Sequence, residues 1–155
     1  MRRNWSGALI LLALALAGCA IDPKTLPAAD RVCLTFVGLS EAELSFLLPR
    51  ARVRLRERAG MTLVSEGCHV RAKYTRLTLV TGSTPTLFFS LGLRTQPLLG
   101  EDGLLTITPA GATEEGEVIT VSLRGADTAT DSLRDLAYEV VDQTRKRYRS
   151  TVGPQ

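Results

Sequence analysis

Five arginines, Arg50, Arg52, Arg54, Arg56 and Arg58, fall within nine consecutive residues. A guanidinium is a planar fork of donors matched to phosphate and carboxylate, so this density suits an anionic surface: phospholipid headgroups, lipid A or an acidic partner. Arg50, Arg52, Arg54 and Arg56 are the candidate anionic-surface residues. The same stretch also reads as a solvated face balanced by Glu41, Glu43, Glu57 and Glu66, since exposed ion pairs are common and weak. His69 is the sole histidine, so any Ser-His-Asp or Cys-His site would have to use it. It adjoins Cys68 on an expected strand, where successive side chains face opposite ways. No G-x-S-x-G elbow surrounds a serine. With one histidine and no C-x-x-C, the chain offers no set of zinc ligands. Gly82-Ser83-Thr84-Pro85-Thr86 lacks the lysine and second glycine of a phosphate loop and reads as a turn. Acidic residues from Glu101 to Glu117 are scattered over expected turns and nominate no glycosidase-like pair. The expectation is a protein with no catalytic residues, no metal and no noncovalent cofactor.

The elements that place these residues begin with a leader. Arg2 and Arg3 precede the apolar run Ala8–Ala17, which is too short to span a bilayer as a helix. Leu16-Ala17-Gly18-Cys19 follows. This stretch resembles the lipobox of bacterial lipoproteins; an ordinary signal peptide or membrane anchor is the alternative. The resemblance implies a signal peptide over residues 1–18, cleavage before Cys19, and a covalent diacylglycerol and N-acyl chain on that cysteine. Residue 20 is Ala and not Asp, which by the same resemblance favours the outer membrane, periplasmic side, of a Gram-negative envelope.

Cleavage changes the charge argument. Removing 18 residues from 155 leaves 137, enough for one domain. The 19 basic residues fall to 17 against 16 acidic, and the formal charge drops from +3 to +1. That small excess gives no argument for nucleic acid. With Cys19 taken by the anchor, Cys33 and Cys68 remain as an even pair in an oxidising compartment, and a disulfide is expected. It would close a loop of about 35 residues, worth roughly 3–4 kcal/mol on the chain-entropy model. Two buried free thiols are the alternative.

Residues 19–30 carry Pro23 and Pro27 and no apolar period, as a lipidated tether would. The domain is expected over 31–150, with a tail over 151–155. Arg31–Val37 is rich in β-branched residues and is expected as a strand. Ser40-Glu41-Ala42-Glu43 has the form of a capping box, and Leu44, Leu47, Leu48, Ala51, Leu55 and Ala59 trace one helical stripe. Pro49 should kink or divide that helix, and the alternation Arg50–Arg56 would equally suit a strand; helix is the preferred reading. Residues 61–64 are a short strand. Cys68–Thr81 is a long one, with a phase change near Thr75-Arg76 that signals a bulge. Gly82–Pro85 should break the pattern, Leu87-Phe88-Phe89 should restore an apolar run or offer a partner-facing patch, and Arg94–Gly103 should be loop. Leu104–Thr108 and Val118–Leu123 are expected strands. The stripe Leu133, Leu136, Ala137, Val140, Val141, Thr144 and Tyr148 marks a second helix.

Strand, helix, several strands and helix in that order imply an α+β two-layer sandwich, with two helices on one face of a mostly antiparallel sheet. A lipobox ahead of such a domain is similar in layout to the accessory lipoproteins of Gram-negative envelope machines, among them those of lipopolysaccharide transport and of polysaccharide and curli export. That resemblance implies a non-enzymatic accessory or assembly factor, tied to the membrane by its anchor and to an envelope protein partner. A carrier or sensor of an amphipathic or anionic envelope ligand is the alternative, and a hydrolase is a distant third.

Overall fold

The first helix starts where its capping box places it. The Ser40 hydroxyl accepts from the Glu43 N–H at 3.3 Å, and the Glu43 carboxylate accepts from the Ser40 N–H at 2.7 Å. Two orphan donors of the first turn are satisfied reciprocally. The computed structural model describes residues 26–88 and 92–154. The leader, Cys19 and most of the tether therefore lie outside the described residues, as does Phe89. The elements are β1 (Arg31–Val37), α1 (Glu41–Arg54, continued by one wider π turn, Leu55–Ala59), β2 (Thr62–Leu63), β3 (Val70–Phe88), β4 (Gly92–Pro109), β5 (Glu117–Ala126) and α2 (Ala129–Arg147).

The five strands form one sheet in the order β2-β1-β3-β4-β5. β1 runs parallel to β2 and β3, whereas β3–β4 and β4–β5 are antiparallel. Register sets the inner face. Val32 lies opposite Val70, Ala72 opposite Ile107, Tyr74 opposite Leu105, and Gly103 opposite Val121. These residues are all buried, and the alternate positions Arg71, Lys73 and Thr120 are exposed. That is the one-sided pattern of a sheet covered on a single face. Leu47, Ala51, Leu55 and Ala59 of the first helical segment cover it together with Leu136, Ala137, Val140 and Val141 of α2. The molecule is thus an α+β two-layer sandwich with both helices on one face.

Three expectations need correction. Pro49 does not divide α1. It removes one backbone bond, but Leu47 and Ala51 on either side of it are fully buried, and their docking holds the helix together. The Arg50–Arg56 stretch is accordingly helical and not a strand. Gly82–Thr86 is not a turn, and Arg94–Gly103 is not a loop. β3 pairs with β4 continuously out to Phe88 and Gly92, through Ser83 opposite Pro97 and Pro85 opposite Thr95. Beyond Thr75 on β3 and Leu99 on β4 no third strand is paired among the described residues, so the hairpin projects as a two-stranded arm. Each arm strand has an outer edge without a ladder partner, and a proline there loses no hydrogen bond.

Candidate functional site

Side chains with chemistry meet where the arm leaves the sheet. The expected bulge is present: register shifts between Arg76 and Thr78, so Leu77 is left over and is 59% exposed. A second shift lies between Leu99 and Glu101 against β5. Arg76 follows Tyr74, and Glu101 follows Gly103, in strand alternation, so both come to the helix-covered face, and the bulge after Arg76 puts Leu79 opposite Glu101. Glu101 is 1% exposed. Its Oε1 accepts from the Tyr74 hydroxyl at 2.6 Å, and its Oε2 accepts from Arg76 Nη2 at 3.0 Å. Arg76 Nη2 also donates to Glu43 Oε1 at 2.8 Å, and Nη1 donates to the Gly38 carbonyl at 3.0 Å. The capping residue of α1 is therefore also the second partner of a buried guanidinium.

The electrostatics follow from this geometry. Burial works against the Arg76 charge, but the hydrogen bonds to Glu101 and Glu43 outweigh it and hold the group protonated. The hydrogen bond from Arg76 pulls the Glu43 carboxyl down from 4.5 to about 2, with help from the Ser40 N–H and against the opposing effect of burial. Burial and the neighbouring Glu101 raise the Tyr74 phenol. Gly103 lies opposite Arg76, and a Cβ there would run into the Tyr74 ring. A cleft of about 170 Å³ opens beside the cluster, lined by Glu43, Arg76 and Glu101 and by Leu79, Leu99 and Leu133. Both carboxylates and both Nη groups of Arg76 are engaged, whereas Arg76 Nε is buried without a partner. Such an arrangement fixes the junction of sheet, arm and helices.

The arginine run divides by its partners. Arg50 lies 3.3 Å over the Phe46 ring and donates to the Phe46 carbonyl at 2.8 Å. Arg54 pairs with Asp142 of α2 at 3.1 Å and lies 4.5 Å from the Tyr138 ring centre. It joins the two helices and does not face freely outward. Arg52 and Arg56 line a cleft beside Gly60–Leu63. Arg58, exposed on the π turn, lines another cleft with Arg145, Lys146 and Arg149. His69 is exposed. The Asp30 N–H lies 3.1 Å from its Nδ1 and Arg31 Nη2 lies 3.2 Å from its Nε2. A neutral imidazole accepts at only one nitrogen, so one of these contacts is a hydrogen bond in either tautomer. Cys33 and Cys68 are joined, with their Cα atoms 5.6 Å apart.

Sequence reasoning missed Glu101, Arg76 and Tyr74. Tyr74 and Arg76 stood two apart on an expected strand, a sign that they share a face. Glu101 was hidden among Pro97, Gly100 and Gly103, which marked the stretch as loop.

No family model matches the chain, and no curated relative matches it in sequence. Among solved structures it is similar to a minor lipoprotein from Acinetobacter baumannii, at 15% identity and TM-score 0.43, over 76% of this chain and 93% of that one. It is also similar to a hypothetical protein from Chlamydia trachomatis, at 9% identity and TM-score 0.48, over 76% of this chain and 96% of that one. A third likeness is to the rare lipoprotein B from Shewanella oneidensis, at 13% identity and TM-score 0.34, over 76% and 89% of the two chains.

Proposed function

We propose that this chain is a lipid-anchored lipoprotein on the periplasmic side of the outer membrane, acting as a non-enzymatic accessory or assembly factor of an envelope complex. The observation that carries the reading is the Leu16-Ala17-Gly18-Cys19 run directly ahead of a folded domain. The fold adds support where the tether meets the domain. Ala29, ten residues after Cys19 in the sequence, is fully buried and its N–H donates to the Arg149 carbonyl at 2.8 Å. The Cys33–Cys68 bond suits an oxidising compartment. The arm offers bare strand edges of the kind that partners extend by adding a strand.

The experiment is fractionation of a Cys19→Ser variant. The parent should partition with outer membranes. The variant should accumulate as an uncleaved precursor or as a soluble periplasmic form. If it fractionates as the parent does, the anchor assignment is wrong. Mild crosslinking followed by purification of the parent should then recover a discrete envelope protein. Recovery of lipid or glycan in its place favours the carrier reading. That reading ranks second because it calls for a ligand held between sheet and helices, and the cleft there, beside Arg76, is about 170 Å³, below the roughly 300–1,000 Å³ usual for small-molecule sites.

A further inference from the structure

The cleft that contains Arg58 gathers cations from distant parts of the chain. It encloses about 440 Å³ and is lined by Arg58, Arg145, Lys146 and Arg149, with no carboxylate side chain among its described lining residues. Nearby cations are already engaged. Arg147 is held by Glu117 at 2.6 and 2.7 Å, and Arg149 donates through Nε to the Leu26 carbonyl at 3.0 Å. Arg58, Arg145 and Lys146 are exposed, and among the described residues none of the three makes an ion pair.

The tether enters the domain at this cleft. Leu26 lines it, Ala28 bridges to Arg149, and the Arg149 N–H donates to the Pro27 carbonyl at 3.0 Å. Leu26 is seven residues from Cys19, so the cleft edge lies at most about 25 Å from the anchor even with the chain fully extended. A tether spanning less than about 10 Å, well under half of that limit, puts the cleft edge within a Debye length of the bilayer surface. A lipid anchor next to a basic cluster is a recurrent combination at membrane surfaces.

We propose that this cleft seats the phosphate headgroups of anionic phospholipids in the membrane that holds the anchor. The domain then docks with the C-terminal end of α2 and the π turn facing the bilayer. The inference rests on the lipoprotein reading above. It replaces the Arg50–Arg56 face with Arg58, Arg145 and Lys146 as the lipid-contacting set, because Arg50 and Arg54 are occupied within the protein.

The test uses the acylated mature protein in vesicles of phosphatidylcholine alone or with phosphatidylglycerol. Lysines are methylated by formaldehyde and cyanoborohydride and read by mass spectrometry. Labelling of Lys146 should fall about fivefold when phosphatidylglycerol is present and recover at high salt, whereas Lys73, exposed on the far face of β3, should label equally in both. An Arg58→Gln/Arg145→Gln variant should lose the protection of Lys146. Equal labelling of Lys146 in both vesicles, with the protein fully vesicle-bound, overturns the docking inference and leaves the anchor intact. Protection by inorganic phosphate in neutral vesicles overturns the membrane as the source of the anion. Failure to float with neutral vesicles at all overturns the anchor and the docking inference together.

Discussion

Glu43, Arg76 and Glu101 bind one another in a way that ties the junction of helix and sheet to pH. The Glu43 carboxyl falls from 4.5 to about 2 on folding, chiefly through the Arg76 hydrogen bond. A depressed carboxyl contributes stability that is complete above its unfolded value and disappears as pH drops through the folded one. The window here runs from 4.5 down to about 2. The side chain of Glu43 is 28% exposed, so solvent screening reduces its contribution to about 1–2 kcal/mol. Glu43→Gln keeps a residue able to close the capping box and removes only the charge. Urea titrations should show the variant less stable than the parent by that amount near neutrality, and the two should converge as pH falls through the window. Curves that stay parallel would place the acid sensitivity elsewhere, for instance at Asp30, held down by Thr151, or at Glu117, held down by Arg147.

At the scale of elements, α1 and α2 are locked by more than their apolar stripes. Arg54 reaches across to Asp142 and to the Tyr138 ring, with about a quarter of each charged side chain still exposed. A double-mutant cycle over Arg54→Ala and Asp142→Ala should give a coupling of about 0.5–1 kcal/mol in chemical denaturation. Arg52→Gln, on an exposed position of the same helix, should change stability by less than about 0.5 kcal/mol. No coupling at Arg54 would return it to the solvated face. The end of this segment is also set by contact. Gly60 adopts φ +65°, the Met61 N–H caps the Leu55 carbonyl at 3.1 Å, and a Cβ on Gly60 would meet the Gly153 backbone. Glycine is needed there both for the left-handed turn and for the close approach.

Across the whole molecule, the Cys33–Cys68 bond encloses α1 and β2 in a loop with a sequence separation of 35. It fastens β1 to the turn that leads into its parallel neighbour β3. Reduction, or a Cys33→Ser/Cys68→Ser double variant, should lower unfolding free energy by about 3–4 kcal/mol, read from denaturant midpoints. Intact mass without reductant should be lower by two hydrogens, and a loss well below 1 kcal/mol would mean that α1 packing alone closes the loop. The C-terminal residues are fastened as well. Asp30 accepts from the Thr151 N–H at 2.7 Å and from the Ser150 hydroxyl at 3.0 Å.

Signals that act over one or two turns were legible in the sequence alone. The Ser40–Glu43 capping box, the stripe of α2, the span of β1 and the phase change near Arg76 each depend only on neighbours in the chain. The α+β class followed from their order, because an amphipathic helix and a one-sided strand must cover each other. Tertiary structure decided the rest, where the meaning of a residue depends on what lies across from it. Pro85 and Pro97 signal breaks only while their strand edge is needed for pairing, and on the arm it is not. Glu101 looked like a loop acid until β4 extended through it and placed it, in alternation with Gly103 and Leu105, on the buried face beside Arg76. The arginines of residues 50–58 looked alike in the chain; packing against α2 occupied Arg54 and set Arg58 beside Arg145 and Lys146, some 90 residues away. No periodicity encodes such a meeting, because it depends on which faces of two helices bury the same sheet.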